Sequence, residues 1–328
     1  MEKQKLNRYT GTNEQLFGLR RVQLQDGTAD GCSVIEVTTA GGLQADVLIN
    51  TGMDLGLVRY KGTNIGFLSK NGYDTPARFA ANDKTFVNNF PTGLLYTCGL
   101  RSTGPPCTDG DEYHPLHGRI HGQPATNVSV SCEDDQLIVQ GTLRETSFFG
   151  YKLELRRKIT FPVWGSKILI EDTIENLTQR PEEFAIIYHI NFGYPMLSEN
   201  ARVTFPEGRK TIPRTECEFY LSEIDKVCEF TAPVDEQEEL VYFHELDEGW
   251  VVLENPDAKI SMKLNWDLGT LPVLAQWKSM VAGEYALGLE PTNNYVMGRV
   301  AERENGTLKT IEPYSAVKTR VEMEFGTI

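Results

Sequence analysis

Three stretches carry residue types from which acid–base chemistry can be built. The first is FAIIYHINFGYPML, residues 184–197. Successive side chains of a strand point to opposite faces, so alternation sets Phe184, Ile186, Tyr188 and Ile190 against Ala185, Ile187, His189 and Asn191. The run stops at Gly193-Tyr194-Pro195, and His189 and Asn191 are expected to project together from the end of a packed strand. Alone, such a histidine is more simply read as a core residue satisfied by a backbone carbonyl.

The second stretch is GEYALGLEPTNNYVMG, residues 283–298. Alternation puts Glu290 on the face of Ala286 and Gly288, while Tyr285, Leu287 and Leu289 point into the expected core, and Pro291 is expected to end the strand. A carboxylate beside two minimal side chains leaves an open surface on which a ligand can lie. An ordinary exposed strand-end glutamate is the plainer alternative.

The third, HPLHGRIHGQPA at 114–125, holds three of the five histidines. If residues 116–121 are extended, His117, Arg119 and His121 share one face, and together they suit hydrogen bonding to the hydroxyl or carboxylate oxygens of a small ligand. The His-x-x-x-His spacing also suggests a metal, but a guanidinium between the imidazoles disfavours a dication. A solvated polar strand edge is the other reading. In LPVLAQWK (271–278), Trp277 offers a face for stacking on a sugar and Gln276 an amide that reaches a hydroxyl, although Trp277 is equally suited to a core.

Nothing else competes for the chemistry. There is no Gly-x-Ser-x-Gly elbow, no P-loop and no nicotinamide fingerprint, since GGLQAD (41–46) and GTNIGF (62–67) lack the spacing. His189 and Glu290 therefore stand as a candidate acid–base pair.

The elements that must position these residues are strands. Period-two alternation broken by Gly, Pro, Asn and Asp recurs along the 328 residues, in 31–39, 45–50, 136–143, 249–255, 258–266 and 315–326. Residues 151–176 read as a hairpin of two long strands about a Trp164-Gly165 turn. Helical periodicity is confined to Asn13–Leu19 and part of 219–230. This texture predicts a mainly β fold, a large antiparallel β-sandwich with few short helices, spanning 1–328 as one domain. The turn-rich TGPPCTDGDEYHP (103–115) is expected to be a loop over the site.

Composition narrows the partners. With 46 acidic and 32 basic residues the net charge is −14, which repels nucleic acid and anionic membrane surfaces. No apolar run approaches the roughly 18 residues of a membrane span, and MEKQKLNRYTGTNEQ lacks the apolar segment of an export signal. Six scattered cysteines fit reduced thiols. A cytoplasmic location, no nucleic-acid or membrane partner, and a monomer or homodimer are the expectations.

In order, LHGRIHG, DTIENLT, YHINFGYP, LPVLAQWK and GLEPTNN resemble the aldose 1-epimerase (galactose mutarotase-like) superfamily, and within it the branch known as domain of unknown function 4432. The resemblance covers roughly residues 45–325. It implies a galactose mutarotase-like supersandwich with the active site in a cleft across one sheet. It further implies an aldose 1-epimerase-like sugar mutarotase that interconverts α and β anomers by ring opening without a cofactor or metal. By the same resemblance His189 is the acid that protonates the ring oxygen and Glu290 the base that takes the anomeric proton. His117 matches the superfamily's substrate-binding histidine, with Arg119 and His121 as further binding candidates. Two departures are visible: Ile-Asn-Phe-Gly follows His189 where the galactose enzymes carry Ser-Tyr-Phe-Asn, and Thr51 precedes GMDLG (52–56) where the branch carries arginine. A carbohydrate-binding protein without catalysis, and a metal-dependent sugar isomerase or lyase using the histidines of 114–121, are the alternatives.

Overall fold

The computed structural model describes residues 6–75, 86–88, 90 and 93–328. Antiparallel sheets dominate it. The first five strands, from Gly18–Gln23 to Thr63–Asn64, form a meander in chain order. An eight-stranded sheet is built around the long hairpin read from sequence: Lys152–Pro162 pairs with Lys167–Asn176, which in turn pairs with the terminal strand Ala316–Thr327. A third sheet orders Lys210–Pro213, Leu240–Glu245, Val273–Ser279, Ala286–Thr292, Glu182–Phe192 and Lys309–Ile311, and Leu95–Leu100 also pairs with Glu182–Phe192.

Alternation explains how these sheets meet. Ile168, Ile170 and Ile174 face one large apolar core, shared with Leu137, Leu155 and Ile159 of neighbouring strands and with Ile35, Val47 and Val58 of the meander. The third sheet contributes Ile186, Tyr188, Ile190, Leu287 and Leu289 to that core. Its opposite face carries a smaller cluster that includes Tyr96, Cys98, Ile187, Phe243 and Ala275. Facing sheets that interdigitate side chains in this way define a sandwich. One sheet face is thus free to line a site.

Fully buried Arg157 crosses the core. It donates to Asp172 at 3.0 and 2.7 Å, to Asp54 Oδ1 at 2.8 Å and to the Gly52 carbonyl at 3.0 Å. Tyr188 donates to Asp172 at 2.7 Å and shares a hydrogen bond with Thr319. Residues of all three sheets therefore meet in one paired network, the condition under which buried charge is tolerated.

Several expectations need correcting. Residues 13–19 are not a helix: a single 3-10 turn, Asn13–Gln15, is capped by Thr12, and a strand begins at Gly18. A short α-helix, Glu218–Glu223, does fall within the second predicted region. A further helix, Arg299–Glu304, is a six-residue element too short to leave a periodic signal. Pro291 does not end its strand, which continues to Thr292. Instead, pairing with Glu182–Phe192 lapses between Ile187↔Thr292 and Ile190↔Leu289, where proline has no N–H to give. Of the loop at 103–115, Gly104 and Pro105 line a cavity, while Cys107–Asp109 and Glu112–His114 form a small hairpin. No helix among the described residues is long and apolar enough to cross a membrane.

Candidate active site

The register of the third sheet sets the floor of the site. Tyr96 lies opposite His189, Ala275 opposite Glu290, and Phe243 opposite Ala275. The pairs Ile187↔Thr292 and Ile190↔Leu289 bracket His189 and Glu290 and place them across from each other. Two residues along, on the same face, Trp277 lies opposite Gly288. Over this floor is a cavity of about 350 Å³, with His117, His189, Glu290 and Trp277 among its polar-tipped walls and Phe90, Leu116, Val241, Phe243 and Val296 among its apolar ones.

His189 Nδ1 and Glu290 Oε1 are 3.2 Å apart and both side chains are almost fully buried. The contact is out of alignment for a hydrogen bond, and neither atom has another hydrogen-bond partner. A buried polar atom without a partner is costly, so two of them facing each other at one cavity make it the candidate site. Burial pushes His189 down to about 3, with a smaller push the same way from the neighbouring His117 imidazole and an opposing one from the Asn191 amide. Burial, with the Glu239 charge, pushes Glu290 well above the usual carboxylate range. The state that burial favours is accordingly a neutral imidazole beside a carboxylic acid. That state holds the same number of protons as imidazolium beside carboxylate; the two differ by one proton transfer.

Gly288 makes room for Glu290. A Cβ there would lie 2.1 Å from Glu290 Oε1 and 3.1 Å from Trp277 Cβ, so no larger residue fits without moving one of them. The indole of Trp277 stands edge-on to the His189 ring, with centroids 5.6 Å apart.

His117 reaches the cavity by a different route from the one expected. Residues 116–121 are not extended: His117 has φ +59°, and Ile120–Gly122 is a 3-10 turn. The left-handed backbone is held by reciprocal contacts with Gly104. The His117 N–H donates to the Gly104 carbonyl at 3.0 Å, and the Gly104 N–H donates to His117 Nδ1 at 3.3 Å. A neutral imidazole that accepts at Nδ1 carries its proton on Nε2, so His117 is a hydrogen-bond donor. Burial, helped by Arg214, lowers it to about 4 and keeps it neutral.

The same turn separates the other two candidates from the site. Arg119 donates to the Tyr113 carbonyl and pairs with Glu112 at 3.5 Å, away from the cavity lining. His121 packs against the rings of Tyr96 and Phe86, at 4.5 and 5.7 Å, behind the cavity wall. Asn191 lies on the expected face but donates to the Gly93 and His189 carbonyls, bracing the strand end. Gln276 faces the other side, donating to the Val227 carbonyl at 2.7 Å and meeting His244 Nε2 through its oxygen at 2.8 Å. Consecutive strand residues cannot share a face, and Trp277 is the one that faces the cavity.

Sequence reasoning missed Arg214 and Glu239. Both line the cavity, and their side chains are 34% and 51% exposed, which places them at its mouth. Arg214 carried no signal. Glu239 did, because Glu239, Val241 and Phe243 alternate into the strand Leu240–Glu245 and all three line the cavity. Among the described residues, no group of three or more His, Cys, Asp or Glu is placed to hold a metal ion.

Comparisons with known proteins agree with this architecture. The model of a family described as Domain of unknown function (DUF4432) matches residues 29–325. Among solved structures, a Klebsiella pneumoniae protein proposed to be an aldose 1-epimerase superposes with a TM-score of 0.87 at 22% identity, over 95% of this chain and 85% of that one. A galactose mutarotase-like protein from Clostridium acetobutylicum gives 0.67 at 13%, over 96% and 100%. Galactose 1-epimerase from Lactobacillus acidophilus gives 0.62 at 14%, over 95% and 99%. At these identities the likeness establishes the galactose mutarotase-like fold. No curated protein matches the chain.

Proposed function

The chain belongs to the Domain of unknown function (DUF4432) family, and on that premise we propose that it is a sugar mutarotase, interconverting the α and β anomers of an aldose by acid–base ring opening. The observation that carries this reading is the buried pair of His189 and Glu290, 3.2 Å apart at the floor of a ligand-sized cavity, with both facing atoms unpartnered. The solved structures it resembles include a galactose 1-epimerase, which supports the same reading.

Opening a cyclic hemiacetal takes a proton from the anomeric hydroxyl and adds one to the ring oxygen. With Glu290 as base and His189 as acid, the pair enters as carboxylate and imidazolium and leaves as carboxylic acid and imidazole. That end state is the one burial favours. Ring closure after rotation about C1–C2 runs the transfer backwards, and the protein returns to its starting state with no net proton consumed. Positioned proton transfer of this kind contributes about 10²–10⁴-fold each way. His117, a fixed Nε2–H donor, is suited to a sugar hydroxyl, and Trp277 to the C–H face of the ring.

The test is exchange between α and β anomeric proton signals of aldoses by NMR. Acceleration of at least one aldose by catalytic amounts of protein is expected. No acceleration of any sugar that binds would instead make the chain a carbohydrate-binding protein.

A further inference from the structure

The mouth of the cavity is built around one carboxylate. Both oxygens of Glu239 are engaged: Oε2 accepts the Trp277 indole N–H at 2.9 Å, and Oε1 accepts from Arg214 Nη1 at 3.1 Å. The guanidinium is held further by Nη2, which donates to the Tyr220 hydroxyl at 3.1 Å; that hydroxyl donates to the Glu239 carbonyl at 3.1 Å. The Arg214 backbone N–H donates to the Val241 carbonyl at 3.0 Å. Arg214 is the only arginine or lysine among the described residues that line the cavity, and its charge is cancelled where it stands.

We propose that Glu239 is the charge-selecting residue of the site: by pairing with Arg214 and holding Trp277, it bars aldoses that carry a phosphate or carboxylate and admits uncharged ones. This rests on the mutarotase reading above. A sugar anion at the mouth meets a guanidinium already paired and a carboxylate of its own sign, and no second arginine or lysine lines the cavity beyond them among the described residues. The Glu239 charge also acts on Glu290, in the direction that keeps the catalytic carboxyl protonated. An added anion would push the same way, against the ionised form that ring opening needs. Glu239 is a positioning and selecting residue, not a proton carrier, because neither of its oxygens is free.

The experiment compares wild type with Glu239→Gln on a matched set of one aldose, its 6-phosphate and its 6-carboxylate. The readout is the ratio of kcat/KM for charged over uncharged sugar from anomer exchange. Wild type is expected to prefer the uncharged sugar, and Glu239→Gln to raise the ratio roughly five-fold, the scale of one partly exposed ion pair. In Glu239→Gln combined with Arg214→Gln the gain disappears. A carboxylate needed only to hold the fold would instead slow all three sugars alike. The proposal is overturned if wild type already prefers the charged sugar, if the ratio does not move, or if the gain survives loss of Arg214. Binding by ligand-observed saturation-transfer NMR, run on the same set, separates the two readings. A charge switch in binding without anomer exchange supports the selecting role and overturns mutarotation. Binding of no sugar by either protein overturns this proposal.

Discussion

At the scale of single residues, the proposed ring opening rests on His189 and Glu290 holding one mobile proton between them. The neutral pair is inactivated on the acid side when the imidazole takes up a second proton, leaving no base. Because burial lowers that step to about 3, kcat/KM is expected to stay level from pH 7 down to about pH 5. A fall by half near pH 6.5, the ordinary histidine value, would show that the imidazole is not buried as described. His189→Asn removes the acid without a large change in volume. It is expected to lower anomer exchange by at least about 100-fold while leaving the thermal midpoint near that of wild type. Alternation and a strand-ending Gly-Tyr-Pro were enough to read His189 and Glu290 from the sequence, since both sit on regular strands. Arg214 was not legible: it reaches the site from the chain just after the strand Lys210–Pro213, and nothing local records which cavity it faces.

At the scale of elements, strands were easier to read than turns. The hairpin 151–176 was visible because every second residue must face the core, and its pairing runs from Leu153↔Asn176 to Thr160↔Leu169. The 114–125 segment looked equally periodic, yet its three histidines are dispersed. A left-handed residue at His117 breaks the extended run, and tertiary contacts with Gly104 and Gly99 select that conformation over an extended one. Arg119 and His121 were misplaced for that reason. The site strands also make a sharper prediction. Gly288→Ala puts a methyl 2.1 Å from Glu290 Oε1, so the carboxylate must swing away from His189. Exchange is expected to fall at least tenfold, with a stability loss of about 1–3 kcal/mol from overpacking, measured side by side by NMR and urea unfolding. Wild-type turnover in Gly288→Ala would mean that Glu290 need not hold its present place.

At the scale of the whole molecule, the strand that carries His189 is anchored by the network that joins the sheets. Tyr188, one residue before His189, ties that strand to Asp172 and Thr319 of the eight-stranded sheet. Arg157 bridges Asp172 to Asp54 of the meander, and Asp54 accepts from the Thr97 N–H and hydroxyl at 2.9 and 2.6 Å on the strand that flanks His189. Removing the guanidinium leaves two carboxylates buried without their counter-charge. Arg157→Met is expected to cost about 3–5 kcal/mol, seen as a lower urea midpoint with an unchanged slope. A loss below about 1 kcal/mol would show that the carboxylates find other partners. Composition and alternation made the mainly β sandwich legible, but not this network. Alternation puts Arg157 on the face of Leu153 and Leu155 and Asp172 on that of Ile168, Ile170 and Ile174, but which groups of the other two sheets they meet is set by packing that no local pattern records.

Proton transfer by the pair is tested most directly by α-to-β exchange of one accepted aldose, measured by NMR with wild type and Glu290→Gln at equal concentration. If the pair carries the protons, wild type accelerates exchange and Glu290→Gln, still folded and still binding the sugar, falls at least about 100-fold. Exchange at the wild-type rate in Glu290→Gln would rule out Glu290 as the base.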